Sequence, residues 1–357
     1  MPNSQDKFRV CLVAPFPPRK GGVTVQTALL TRYLEQNGVE VLRVDTNLQW
    51  LRRRGLGPIR LAMQPWVVLF RMLRSIPKCD VVHFQAASFW AFMPTFLGVP
   101  IARLFGKRSV VSYQGGGGPE FIDRCGWIAR MPMRKCTVLT VCSRLLQRGF
   151  AARGIEAQLH HNLFEAERFT FRERPSVEPK ICWTRSLDEI YDPLSALKTF
   201  ELVRERYPNA TLAMTSNGVL MQSLKDYIAE HEISGATLTG RLPTEDVARL
   251  MIDSDICLNT SINDGLPAAL LEAAATGLPI VTTRAGGIGS LFEHDVSAVF
   301  VETGDYRAMA EAICDLLDHP DKARAMGIAA RDVAVQYSWD HTRSEFAGFY
   351  GMPDSTL

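Results

Sequence analysis

The strongest constraint on this chain is the stretch from 258 to 287. It reads Leu258-Asn-Thr-Ser-Ile-Asn-Asp264-Gly265-Leu266-Pro267-Ala-Ala-Leu-Leu-Glu272-Ala-Ala-Ala-Thr-Gly277-Leu-Pro279-Ile-Val-Thr-Thr-Arg-Ala-Gly286-Gly287. The apolar run 255–258 predicts a buried strand that ends in a polar turn. Pro267 stands where a helix begins, at a position whose N–H has no helical partner in any case. Residues 268–276 are good helix formers. Gly277 fits the residue after the helix end, and Pro279 blocks resumption. A second buried strand, 280–283, runs into Gly286-Gly287. A strand–turn–helix–strand unit of this kind sets a helix N-terminus at the carboxyl edge of a parallel sheet, where α/β proteins hold phosphate-bearing ligands.

Two carboxylates flank that spot, Asp264 in the turn and Glu272 about one and a half turns into the helix. A carboxylate repels a phosphate, so this pair suits neutral hydroxyls, such as those of a sugar or a ribose. A plainer reading also stands, in which Asp264 caps the helix and Glu272 is merely solvated.

At 357 residues the chain exceeds one ordinary core and predicts two domains. Its 46% hydrophobic and 22% charged content are those of a water-soluble globular protein. The eight cysteines are scattered, with no C-x-x-C and no zinc spacing, and read as reduced buried thiols. Residues 1–7 are polar and a strand follows at once, so no secretory leader is expected, nor a bilayer-spanning segment. The net charge of +2 hides an asymmetry. Residues 1–170 hold 24 Lys and Arg against 10 Asp and Glu, a balance of +14, and the rest holds 16 against 28, or −12. A basic half suggests a face for an anionic membrane or a polyanion.

In the first half, strand 8–14, a turn with Gly21-Gly22, helix 24–37 and strand 39–45 form a βαβ unit. The adjacent glycines do not make the G-x-G-x-x-G dinucleotide fingerprint. Residues 51–78 carry seven Lys and Arg around Trp66 and Phe70, with Pro65 expected to break or kink a helix. Two readings stand: a loop with a sheet-covering helix, or a basic, aromatic membrane-surface segment. Asp80-Val-Val-His83-Phe reads as a buried strand ending in a polar residue. Strand 109–113 leads to Gln114-Gly115-Gly116-Gly117-Gly118, where glycines permit close backbone approach to a ligand.

Residues 170–180 are polar, with two prolines, and read as an interdomain linker. Alternating strands and helices resume after it, predicting a second parallel sheet. Arg185 follows the first of these strands. A lone arginine there is by default a salt-bridged surface group.

The segment Asp264-Gly-Leu-Pro-Ala-Ala-Leu-Leu-Glu272-Ala resembles the E-G-L-P-x-x-L-L-E-A signature of retaining glycosyltransferase family 4. The runs Asp80-Val-Val-His83 and Tyr113-Gln-Gly-Gly resemble its bacterial polysaccharide and exopolysaccharide-assembly branch. The resemblance implies an α/β GT-B fold: two Rossmann-like domains whose parallel sheets face each other across a cleft. Residues 1–170 would form the acceptor side and 171–335 the nucleotide-sugar domain, with 336–357 a terminal helix returning to the first domain. It implies Glu272 on the ribose, Asp264 on donor-sugar hydroxyls and Arg185 on the diphosphate. Gly265, Leu266, Pro267, Arg241, Gly21 and Gly22 would complete the donor site. Gln114, Gly115 and Gly116 would form an acceptor-side loop, and Asp264, Arg185 and His83 would be the catalytic set. The chain departs from the family at Asp264 (for Glu), Ile190 (for Lys) and Ser290 (for Glu).

The implied activity is retaining transfer of a sugar from a nucleotide-diphosphate sugar to a growing, lipid-linked bacterial glycan. No metal and no cofactor beyond the donor are expected, since no Asp-x-Asp stands in a suitable turn. Neither is nucleic acid. A cytoplasmic location is expected, peripheral on the inner membrane face. Two rival readings are a sugar-nucleotide epimerase or phosphorylase on the same architecture, and a degenerate non-catalytic binder.

Overall fold

The structure, a computed structural model, describes residues 7–18, 22–47, 57–160, 162–264 and 267–353, with backbone alone for 57–62. It divides into two compact units. One is Met1–Leu163 with Trp339–Leu357, and the other is Phe164–Ser338. The boundaries thus fall at 163/164 and 338/339, not at 170/171 and 335/336.

The first unit contains β1 (Arg9–Ala14), α1 (Gly22–Gln36), β2 (Glu40–Asp45), α2 (Gly57–Ser75), β3 (Val81–Ala86) and α3 (Met93–Leu104). It continues with β4 (Arg108–Tyr113), α4 (Gly118–Cys125), α5 (Trp127–Lys135), β5 (Val138–Val141), α6 (Arg144–Ala151) and β6 (Gln158–Leu159). Its six parallel strands lie in the order β2-β1-β3-β4-β5-β6. These strands are near-continuous apolar runs because both faces of the sheet are covered. Helix α2 continues through Pro65, against the expected break. One lost hydrogen bond is outweighed by burial of Val68, Met72 and the following Ile76.

The second unit contains β7 (Lys180–Trp183), α7 (Pro193–Arg206), β8 (Thr211–Thr215), α8 (Met221–Glu230), β9 (Ala236–Gly240) and α9 (Thr244–Asp253). Then come β10 (Ile256–Leu258), α10 (Ala268–Ala275), β11 (Ile280–Thr283), β12 (Val299–Val301), α11 (Tyr306–Asp318) and α12 (Pro320–Val335). The order β12-β11-β10-β7-β8-β9 is that of a Rossmann sheet, with its switch point between β7 and β10. Helix α13 (Trp339–Tyr350) belongs to the first unit.

In both units, alternation along the strands sorts side chains into two cores. In β1, Cys11 and Val13 join one cluster, with Met72, Val99 and Phe150 from the helices of that face. Val10, Leu12 and Ala14 join the other, with Leu34 of α1 and Phe346 and Tyr350 of α13. In the second unit Ile181 and Trp183 face α7 and α11, while Cys182 faces α10 and α12.

Residues 170–180 are not a free linker. The side chain of Arg174 is buried within the second unit and donates to the carbonyls of Ser254, Arg172, Thr276 and Met251 at 2.7–3.0 Å. The polar composition there serves an internal guanidinium, which five N–H donors allow to be satisfied by backbone oxygens. Among the described residues no helix is long and apolar enough to cross a membrane, and no three His, Cys, Asp or Glu converge as metal ligands would.

Candidate active site

The switch point of the second sheet places the carboxyl ends of β7 and β10 side by side, and the signature residues follow those ends. Arg185 leaves β7. Its Nη2 is ion-paired with Asp264 Oδ2, beyond β10, and both side chains are 12% exposed. The guanidinium carbon also lies 4.3 Å from the ring centroid of Tyr191. Arg185 is therefore held on one side by a carboxylate and on one face by an aromatic ring. Its Nε is buried without a hydrogen-bond partner among the described residues.

The Tyr191 side of this arrangement is anchored from the core. Trp183 Nε1 donates to Thr260 Oγ1 at 3.0 Å, and the Thr260 hydroxyl donates to the carbonyls of Tyr191 and Asp192 at 2.8 Å. Asp192, at φ 47°, accepts from Ser195 N–H at 3.2 Å and so caps α7. Thr260 carried no sequence signal, since a threonine after a strand is commonplace.

The Asp264 side is fixed through its backbone. Gly287 N–H donates to Asp264 O at 2.7 Å. Gly286 has φ +56°, and a Cβ there would sit 2.0 Å from the same oxygen. Among the described residues the carboxylate of Asp264 makes no cap bond to α10, whose N-cap is Pro267 at φ −73°, ψ 105°. The helix-cap reading of Asp264 is thereby replaced by an ion pair. Helix α10 is buried except at Ala268 and Glu272. Glu272 is its one ionisable group. Burial pushes the Glu272 carboxyl up to about 7, with the Arg185 charge working against that shift and Glu165 adding to it.

This raised value carries a stability consequence. Between pH 4.5 and about 7 the folded protein keeps a proton on Glu272 that the unfolded chain has released. The contribution is fully present below about 4.5 and is lost as pH rises through about 7. Discounted for the exposed part of the carboxyl, it amounts to about 2 kcal/mol. Urea unfolding of wild type and Glu272→Gln across that range is expected to show wild type losing ground to the variant as pH rises. A constant difference between the two proteins would contradict the raised value.

Other sequence candidates are placed less centrally. Arg241 is exposed, after edge strand β9. Two strand spacings, roughly 10 Å, separate β9 from β7. Gly265 and Leu266 lie outside the described residues, as does Gly21. Gly22 opens α1 after β1, in the first unit.

His83 is corrected. Strand β3 runs on to Ala86, so its carboxyl end presents Gln85, not His83. The alternation turns His83 onto the face covered by α13. It is fully buried, with Nδ1 2.8 Å from Tyr350 Oη and Nε2 2.8 Å from Ser112 Oγ. Burial, with His160 nearby, pushes it down to about 3, so it stays neutral. With no accessible surface and both ring nitrogens engaged, it is a core hydrogen-bonding residue.

At the strand ends, Gln114 Nε2 donates to Gln85 Oε1 at 2.6 Å, and Gly115 passes close to Tyr113 and Ser88. Gly116 has open space around its Cα. A small cavity of about 20 Å³ lies here, lined by Gln26, Gln85, Gln114, His160 and Asn162 among others. His160 Nδ1 is 2.7 Å from Glu345 Oε2, and its Nε2 is buried without a partner among the described residues. Among the described residues the cavity lining is almost uncharged.

Residues 178–319 match the family model described as glycosyl transferases group 1. The chain is similar to a GDP-mannose-dependent alpha-(1-6)-phosphatidylinositol monomannoside mannosyltransferase of Mycolicibacterium smegmatis. The two are 26% identical over 376 residues, covering 91% of this chain and 93% of that protein. It is also similar to the amylovoran biosynthesis glycosyltransferase AmsK of Erwinia amylovora, 28% identical over 206 residues, covering 54% and 51%. Among solved structures it superposes on Anabaena HepE in complex with UDP with a TM-score of 0.72, at 14% identity, over 97% of this chain and 99% of that one. A glycosyltransferase of Rickettsia africae gives a TM-score of 0.71 at 15% identity, over 97% and 98%. The chain thus has the GT-B architecture over nearly its whole length, and the residues that build its switch-point site match a glycosyl transferases group 1 domain, which supports a glycosyltransferase.

Proposed function

We propose that the protein is a retaining, metal-independent hexosyltransferase of family 4. It moves a sugar from a nucleotide-diphosphate sugar to a growing, lipid-linked bacterial glycan at the cytoplasmic face of the membrane. The observation that carries the reading is the Arg185–Asp264 pair beside Glu272 at the switch point of a Rossmann sheet. The named relatives support it: one uses GDP-mannose and a phosphatidylinositol mannoside, one serves amylovoran biosynthesis, and HepE was solved with UDP.

In this reading Glu272 accepts hydrogen bonds from the ribose hydroxyls. The diphosphate meets Arg185 and the N–H groups at the start of α10. As the sugar–oxygen bond breaks, charge grows on the leaving diphosphate, and these fixed donors stabilise it without reorganising. No lysine stands at position 190, which is an exposed isoleucine. Asp264 is one methylene shorter than glutamate and is held on Arg185, so its first task is to orient the guanidinium. No cofactor beyond the donor is required. The match to a glycosyl transferases group 1 domain does not favour an epimerase or phosphorylase.

The test is donor affinity. Charge-assisted hydrogen bonds are worth about 1.5–3 kcal/mol, so Glu272→Ala is expected to weaken nucleotide-sugar binding about ten- to hundredfold in a folded protein. Calorimetry against a panel of UDP- and GDP-sugars measures it and also names the base. Unchanged affinity in the variant would remove Glu272 from the donor site.

A further inference from the structure

We infer that the outward face of α2, together with Trp90, docks on an anionic lipid bilayer. This deepens the proposed function by assigning the surface on which a lipid-linked acceptor would be met. Helix α2 is apolar on two sides. Val68 and Met72 are buried against the core of the first unit. Met63, Trp66, Phe70 and Leu73 are exposed, Trp66 to 72% and Phe70 to 67%. At 100° per residue these four span roughly 80° of the helix, on the side away from Val68 and Met72. Such a stripe on a helix that already has its buried side is unexplained by folding.

The surface continues off the helix. Trp90, 67% exposed, lies across an apolar groove of about 60 Å³ from Pro65 and Val68, with Met93, Pro94 and Leu97 completing its walls. Tryptophan has an apolar body and a polar N–H, the combination that suits the headgroup boundary of a bilayer.

Charge selects the occupant. Between Asp45 and Glu120 the sequence has ten Lys and Arg and a single acid, Asp80. That carboxylate accepts from Arg9 N–H at 2.7 Å. Arg74 and Lys78 are exposed beside the stripe, whereas Arg71 turns inward to the Asp45 carbonyl at 2.9 Å. A protein-binding face ordinarily has a polar rim around a core poor in charge. An aromatic stripe edged by one sign of charge complements a negative membrane surface, on which a helix lies in the plane.

Co-sedimentation of the full chain with phosphatidylcholine vesicles, with or without phosphatidylglycerol, tests this. Wild type is expected on the anionic vesicles and to be released by salt, because exposed charges are screened beyond about 8 Å at physiological ionic strength. Trp66→Ser/Phe70→Ser and, separately, Arg74→Glu/Lys78→Glu are each expected to lower partition about tenfold. Urea midpoints confirm that each variant is folded. Donor affinity for UDP-glucose and GDP-mannose is measured on the same samples and is expected to stay at the wild-type value. Equal partition onto neutral and anionic vesicles, no partition, or wild-type partition of the Trp66/Phe70 variant overturns the inference. A wild type that sediments with vesicles but binds no nucleotide-sugar would instead overturn the functional reading, leaving the membrane face standing.

Discussion

Arg185→Ala is expected to lower turnover by about 10²–10³, the usual cost of deleting one preorganised donor at a developing negative charge. The effect should be concentrated in kcat, since charge on the leaving diphosphate grows toward the transition state. Arg185→Lys is expected to recover only part of it. An ammonium lacks the planar fork that grips two phosphate oxygens, and it is a poorer partner for the Tyr191 ring, whose centroid lies 4.3 Å from the guanidinium carbon. No lysine at position 190 can take over. Truncation also leaves the Asp264 carboxylate, 12% exposed, without its partner. A stability loss of about 1–3 kcal/mol should follow. Arg185→Ala/Asp264→Asn separates the two effects, because it removes the orphaned charge and should restore the urea midpoint without restoring turnover. An Arg185→Ala enzyme within threefold of the wild-type rate would place the phosphate site elsewhere.

Gly286→Ala is expected to be the most damaging single-methyl change in the second unit. Gly286 has φ +56°, which costs an L-residue roughly 1–2 kcal/mol. The added Cβ would also lie 2.0 Å from Asp264 O, a backbone atom that Gly287 N–H holds in place at 2.7 Å. Relief requires the 262–264 turn to shift, and with it the carboxylate that orients Arg185. A stability loss of about 2–4 kcal/mol and a more than tenfold loss of donor affinity are expected. Gly289→Ala is the matched control. Its Cβ would come no closer than 3.6 Å to Arg284, so stability should change by less than about 0.5 kcal/mol. If the two variants have equal midpoints, the Gly286 contact does not position Asp264.

The sequence by itself determined the elements and the neighbourhood of the site. Pro267, the 268–276 run and Gly277 encode their helix in local terms, so α10 was legible, and the structure ends it at Ala275 with Thr276 as the cap. Continuous apolar strands alternating with helices encode parallel sheets covered on both faces, and both units have them. Asp264, Glu272 and Arg185 were legible because each follows a strand end or stands in a signature. Three things were settled only by tertiary structure, and each depends on groups distant in sequence. Which carboxylate meets Arg185 depends on β7 and β10 lying side by side, which brings in Asp264 from 79 residues away. Where β3 ends, and hence that Gln85 rather than His83 reaches its carboxyl edge, depends on pairing with β4. The polar run 170–180 looks like a linker until the carbonyls of Ser254 and Thr276 surround Arg174. Strand register and long-range hydrogen bonds are non-local, and a local pattern carries no record of its partners.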